Sequence, residues 1–140
     1  MQDKKKILIA EDYDEARALM ALFLTRLGYS VAEACDGKEA LEQVALEQPD
    51  LILMDISMPR MDGLEATALL KGDQETRHIP VLILTAHSQQ SQRNNALNAG
   101  ASDVLIKPLE LAQLRSTLEL HLQSEHSSFI DIGAPTTAEL

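Results

Sequence analysis

Five short apolar runs punctuate the chain: KILIA at 6 to 10, SVAEA at 30 to 34, LILM at 51 to 54, VLILT at 81 to 85 and DVLI at 103 to 106. Their hydrophobicity is continuous rather than alternating and rich in Ile, Leu and Val, the pattern of strands covered on both faces. The segments between them are amphipathic at helical spacing. Leu19, Met20, Phe23, Leu24 and Leu27 predict a first helix, which Gly28 ends in a left-handed conformation. Asp36, three residues before Glu39, predicts a capping pair that opens a second helix presenting Leu41, Val44 and Ala45. A third is expected from near Gly63 to about Leu70, and a fourth, with a thin apolar stripe, across QSQRNNALNAG to Gly100. Leu111, Leu114, Leu118 and Leu122 mark a fifth.

Strand and helix thus alternate five times with short connections. Right-handed crossovers then require a parallel sheet with helices on both faces, a doubly wound α/β domain. From Ser124 onward, SEHSSFIDIGAPTTAEL mixes Ser, Thr, Pro and acids without periodicity. The expected organisation is therefore one domain over 1–123 and a flexible tail or linker stub over 124–140.

Composition narrows the function. The 140 residues carry a formal net charge of -10, which repels nucleic-acid phosphates, and two Tyr, two Phe and no Trp offer few stacking platforms. Direct nucleic-acid binding is not expected. The single cysteine, Cys35, has no internal partner and reads as a small packed side chain in a reducing compartment. KKKILIAED starts like a secretory leader, but its apolar part, ILIA, falls below the roughly seven residues such a region needs, and no run reaches membrane-spanning length. The expected location is the cytoplasm.

In an open parallel sheet, ligands gather at the carboxyl ends of the strands. There the chain places Glu11 and Asp12 after the first run, Asp55 after the third, Thr85 at the end of the fourth, and Lys107 with Pro108 after the fifth. Singly, each reads as a helix cap or a solvated loop residue. Together they bring three carboxylates, a hydroxyl and an ammonium to one edge. Three crowded acids repel unless a cation neutralises them, and an all-oxygen donor set without clustered histidines favours Mg²⁺ with room for phosphate oxygens. Lys107 and Thr85 then suit a phosphoryl guest, and Asp55 suits nucleophilic attack on phosphorus to form an acyl phosphate. His78, His87, His121 and His126 lack a zinc-ligand arrangement, and Met54, Met58 and Met61 read as packing.

At these residues the sequence resembles the receiver domain of bacterial two-component response regulators, of the single-domain chemotaxis-receiver kind. ILIAED, DLILMDISMPRMDG, VLILTA and GASDVLIKP occur in family order and spacing over about residues 5 to 123. The resemblance implies a flavodoxin-like sandwich with strand order 2-1-3-4-5. It implies that Asp55 accepts phosphate from a histidine kinase or a histidine phosphotransfer protein, and that the domain is a signalling switch rather than an enzyme. Asp12, Asp55 and the backbone carbonyl of Ser57 would bind Mg²⁺ directly, with Glu11 acting through water. Thr85 and the Ala86 amide would contact the phosphoryl oxygens, Lys107 would pair with them, and the Lys107–Pro108 bond would be cis. Ser57 and His87 stand where family members tune attack by water.

One position departs from the family. Val104 stands three residues before Lys107, where Tyr or Phe is common, and a stiff β-branched side chain cannot make the inward swing of an aromatic. A smaller or different rearrangement is expected at the face of the fourth helix, fifth strand and fifth helix, where a downstream protein would bind. No fused output domain is expected, since the chain ends soon after the last core helix. The chain would act as a monomer or weak homodimer, with Leu109 and Leu120 as surplus leucines on the last segment. The main alternative, a phosphohydrolase with an aspartate nucleophile, usually carries a second acid two residues on, where this chain has Ser57.

Overall fold

A computed structural model describes residues 4–131, those from 123 onward as helical backbone only. The elements alternate as β1 (Lys6–Ala10), α1 (Asp14–Arg26), β2 (Ser30–Ala34), α2 (Gly37–Glu47), β3 (Leu51–Asp55), α3 (Gly63–Gly72), β4 (Val81–Thr85), α4 (Gln90–Asn98), β5 (Asp103–Ile106) and α5 (Leu111–Asp131). All strand pairs are parallel, in the order β2-β1-β3-β4-β5. This is the doubly wound, flavodoxin-like arrangement.

Burial follows position in the sheet. The central strands β3 and β4 are buried at every residue, whereas the edge strands β2 and β5 expose Glu33 and Ile106. Successive side chains on a strand point to opposite faces. Leu8, Ala10, Ile52, Met54, Val81, Ile83 and Val104 therefore share one core cluster with Ala40, Val44, Ala66, Leu70 and Ala96 of α2, α3 and α4. Ile7, Ile9, Leu51, Leu53, Leu82 and Leu84 point the other way and are completely buried.

Helix ends show local chemistry at work. At the end of α1, Gly28 has φ +103°, its N–H reaches the Thr25 carbonyl at 3.0 Å, and the Tyr29 N–H reaches that of Leu24 at 3.1 Å. This pair of bonds needs a left-handed residue, which glycine supplies without a Cβ clash. Asp36 caps α2 through the Glu39 N–H at 2.7 Å, and the Glu39 carboxylate reaches back to the Cys35 N–H at 2.6 Å. The expected α1 stripe is narrower than its apolar residues suggest. Leu24 is fully buried but Leu19 is 69% exposed, because five residues of helix separate them by about 140° around the axis.

The chain divides into two compact units, Met1–Pro108 and Leu109–Leu140. The second holds α5, where Leu114, Leu118 and Leu122 are buried while Leu111 and Leu120 are exposed. Within the tail expected over 124–140, α5 continues to Asp131, and no Gly or Pro occurs before Gly133. The rest of that expected tail, 132–140, lies outside the described residues.

Candidate functional site

Register alone assembles most of the site. Ala10 pairs with Met54, so Glu11 leaves β1 beside Asp55 at the end of β3. Asp55 pairs with Leu84 and Thr85 with Ile106, so Thr85 and Lys107 follow on the adjoining strands at the same edge. A rigid, fully buried run, Leu51 to Met54, carries Asp55 to this edge.

Beyond Asp55 the chain leaves the sheet and returns on itself. Ile56 donates its N–H to the Leu84 carbonyl at 3.0 Å, and its own carbonyl accepts the Gly63 N–H at 2.9 Å. A Cβ at Gly63 would lie 2.1 Å from the Asp55 carbonyl oxygen. Gly63 is thus present for contact: the start of α3 rests directly on the backbone of Asp55, and no larger residue fits.

The charges converge closely. One carboxylate oxygen from each of Glu11, Asp12 and Asp55 lies within 4.8 Å of the others. Glu11 and Asp55 are buried, at 2% and 5% exposure, while Asp12 is open to solvent. Lys107 Nζ bridges the buried pair, 2.8 Å from Asp55 Oδ1 and 3.0 Å from Glu11 Oε1. Glu11 is further oriented by the Tyr13 N–H at 3.1 Å on its carboxylate and by Arg17 Nη1 at 2.8 Å on its carbonyl.

Burial pushes the Asp55 carboxyl above its ordinary value. The Lys107 hydrogen bond opposes that rise, while the negative charges of Glu11 and Asp12 add to it. Burial works to lower Lys107, but its bonds to Asp55 and Glu11 prevail and its pKa is raised. One ammonium therefore leaves the three acids under-neutralised. A small hard cation meets that deficit, and the all-oxygen donor set, with one member open to solvent, suits Mg²⁺ with retained waters.

The other expected residues are placed as follows. Thr85 is buried; its Oγ1 accepts the His87 N–H at 3.1 Å, and its carbonyl accepts the Lys107 N–H at 2.7 Å. Ser57, Ala86 and His87 are exposed in the loops at this edge. The Lys107–Pro108 bond is cis. Val104 is 6% exposed within the core cluster, one strand position from Leu105 and three from Lys107. Sequence reasoning missed Arg17, which also pairs with Asp14 at 2.7 Å and Glu33 at 3.0 Å and so pins the first loop. An arginine one helical turn after an acidic pair was the available signal.

Comparison with known proteins accords with this geometry. A family described as the response regulator receiver domain matches residues 7–119. The sensor protein EvgS of Escherichia coli K12 is 39% identical over 122 residues, 86% of this chain and 10% of that protein. The response regulator PleD of Caulobacter vibrioides is 40% identical over 121 residues, 84% of this chain and 27% of that protein. The chain thus spans only a minor part of these curated relatives. Among solved structures, the receiver domain of a sensor histidine kinase from Pseudomonas aeruginosa, with a magnesium ion coordinated in its active-site cleft, superposes with a TM-score of 0.79. It is 33% identical, over 86% of this chain and 98% of that one.

Proposed function

The chain belongs to the response regulator receiver domain family, a signalling domain of two-component systems, and on that premise we propose that Asp55 is its phosphoacceptor. Receivers of this family take a phosphoryl group from histidine kinases and act on downstream partners. Here the donor is a phosphohistidine on a kinase or a phosphotransfer protein. An Asp55 carboxylate oxygen attacks phosphorus as the phosphorus–nitrogen bond breaks; the imidazole leaves and takes up a proton, and an aspartyl phosphate remains.

The observation that carries this reading is the convergence of Glu11, Asp12 and Asp55 with Lys107 held between the two buried acids. Phosphoryl transfer depends on positioning and charge neutralisation, and these residues supply both. Mg²⁺, held by Asp12, Asp55 and the Ser57 carbonyl with Glu11 helping through water, would neutralise charge on the transferred group. Lys107 pairs with the phosphoryl oxygens once Asp55 is phosphorylated. The Thr85 hydroxyl and the Ala86 N–H bind the same oxygens, and Ser57 and His87, both exposed, limit the approach of water.

Phosphorylation then biases two conformations through contacts made in only one of them. A downstream protein reads the change, with Val104 limiting the inward movement behind Thr85. The domain works in the cytoplasm as a monomer or weak homodimer; among the described residues no helix is long and apolar enough to cross a membrane. Incubation with acetyl phosphate and Mg²⁺, followed by intact mass, tests the central assignment. The wild type gains one phosphoryl group and Asp55→Asn gains none; equal gain by both would refute it.

A further inference from the structure

We propose that Arg60, through its ion pair with Asp36, is a positioning residue for the cation site, holding the loop between β3 and α3 so that the Ser57 carbonyl faces the carboxylates. The proposal rests on the reading of that carbonyl as a cation ligand.

Arg60 touches none of the charged residues of the site. Its backbone is left-handed, with φ +65°, a conformation that a side chain with a Cβ rarely adopts unless its surroundings enforce it. Its side chain is tied down from across the loop. Arg60 Nε donates to Asp36 Oδ2 at 2.8 Å, and the same oxygen also accepts from Arg60 Nη2. The Arg60 side chain is 62% exposed while that of Asp36 is 5% exposed, so an arginine with free access to water is folded back onto a buried carboxylate. The Glu39 N–H and then Arg60 hold the Asp36 carboxyl below its ordinary value despite its burial, which keeps it ionised for the pair.

Two further ties act at the same place. The Gly37 N–H donates to the Met61 carbonyl at 3.0 Å, and the two approach so closely that a Cβ at Gly37 would lie 2.4 Å from that oxygen. Met61 in turn donates its N–H to the Pro59 carbonyl at 2.6 Å. Residues 59–61 are thereby fastened to the first turn of α2, while Ile56 is fastened to β4 and Gly63. Ser57 and Met58 span these two anchors, and Met58 is buried in the core cluster. The direction of the Ser57 carbonyl is then set from both sides, and the Arg60–Asp36 ion pair governs one of them.

Helix capping alone is the competing role, and two substitutions separate them. Asp36→Asn keeps an acceptor for the Glu39 N–H but removes the charge that draws Arg60 in. Arg60→Gly removes the fork and at the same time relieves the left-handed backbone, so a purely local role predicts an unchanged or more stable protein. The Mg²⁺ dissociation constant of the unphosphorylated protein is read from amide chemical shifts, and docking of the loop from hydrogen exchange at the Gly37 amide.

Each variant is expected to weaken Mg²⁺ binding about fivefold, below the 10- to 100-fold seen for partners that touch a ligand directly, because Arg60 acts through the loop. The double variant should be no weaker than either single one. Gly37 exchange should accelerate, the urea midpoint should stay near that of the wild type, and Arg60→Lys should recover part of the affinity. Wild-type Mg²⁺ affinity in Arg60→Gly overturns the positioning role alone. Absence of Mg²⁺-dependent shifts in the wild type overturns the cation site and the positioning role with it.

Discussion

Gly63→Ala perturbs Asp55, the proposed phosphoacceptor, from behind. The new Cβ would sit 2.1 Å from the Asp55 carbonyl oxygen and 2.9 Å from the carbonyl carbon, whereas real Cβ contacts essentially never fall below 3.0 Å. The start of α3 or the end of β3 must therefore retreat by about 1 Å, and both are backbone with no side chain to bend away. Overpacking of this kind costs about 1–3 kcal/mol, and a rigid obstacle argues for the upper end. Alanine's better helix propensity returns at most about 1 kcal/mol at the first residue of α3, leaving a net loss near 2 kcal/mol. The functional loss should be larger, since about 1 Å of misplacement at a reacting group can cost about 100-fold in rate. Urea unfolding gives the first quantity, and the initial rate of acetyl phosphate labelling by intact mass gives the second. Gly28→Ala is the control: its φ of +103° makes alanine unfavourable, but nothing lies within 4 Å of the added carbon. It should lose about 1–2 kcal/mol while labelling at the wild-type rate. If Gly63→Ala matches the wild type in both measurements, or labels no more slowly than Gly28→Ala, the close contact does not position Asp55.

Three further outcomes follow from the same structure. Because burial raises the Asp55 pKa in the folded state, ionised Asp55 opposes folding. Without divalent ions, the stability of the wild type relative to Asp55→Asn should be greatest below the unfolded value, about 3.9, and fall as pH rises through the higher folded value. Urea titrations of both proteins across that range test the sign, and an increase with pH would contradict it. Adding Mg²⁺ at about 100 times its dissociation constant should stabilise the wild type by about 2.7 kcal/mol at neutral pH, and a chelator should reverse this; an unshifted urea midpoint would deny the cation site. Leu53→Ala, at a completely buried position of β3, should cost about 2–5 kcal/mol, whereas Leu46→Ala, 74% exposed on α2, should change stability by less than about 0.5 kcal/mol; similar losses by chemical denaturation would show that the core is misassigned.

Much of this protein was determined by its sequence alone, because the deciding interactions are short in range or repeat with the element. The apolar runs that became β1 to β5 had to be buried, and their spacing permits only a parallel, doubly wound chain path. Gly28 and the Asp36–Glu39 pair act within a single turn, and their roles could be read without a partner. The chemical types after each strand were legible for the same reason. In that sense the acids, the hydroxyl and the lysine were on view before the fold was known.

Tertiary structure decided how those groups answer one another. Residues 11, 55 and 107 meet only because the register sets β1, β3, β4 and β5 side by side; the same packing buries Asp55, which raises its pKa, and directs Lys107 to two acids. In sequence Gly63 marks only the start of the third helix, yet its missing side chain makes room for Asp55's own backbone. The pairing of Arg60 with Asp36 spans 24 residues and carries no periodic signal. Periodicity reports which face of an element is buried; it carries no record of which distant atoms come within hydrogen-bonding distance, and that is fixed by packing.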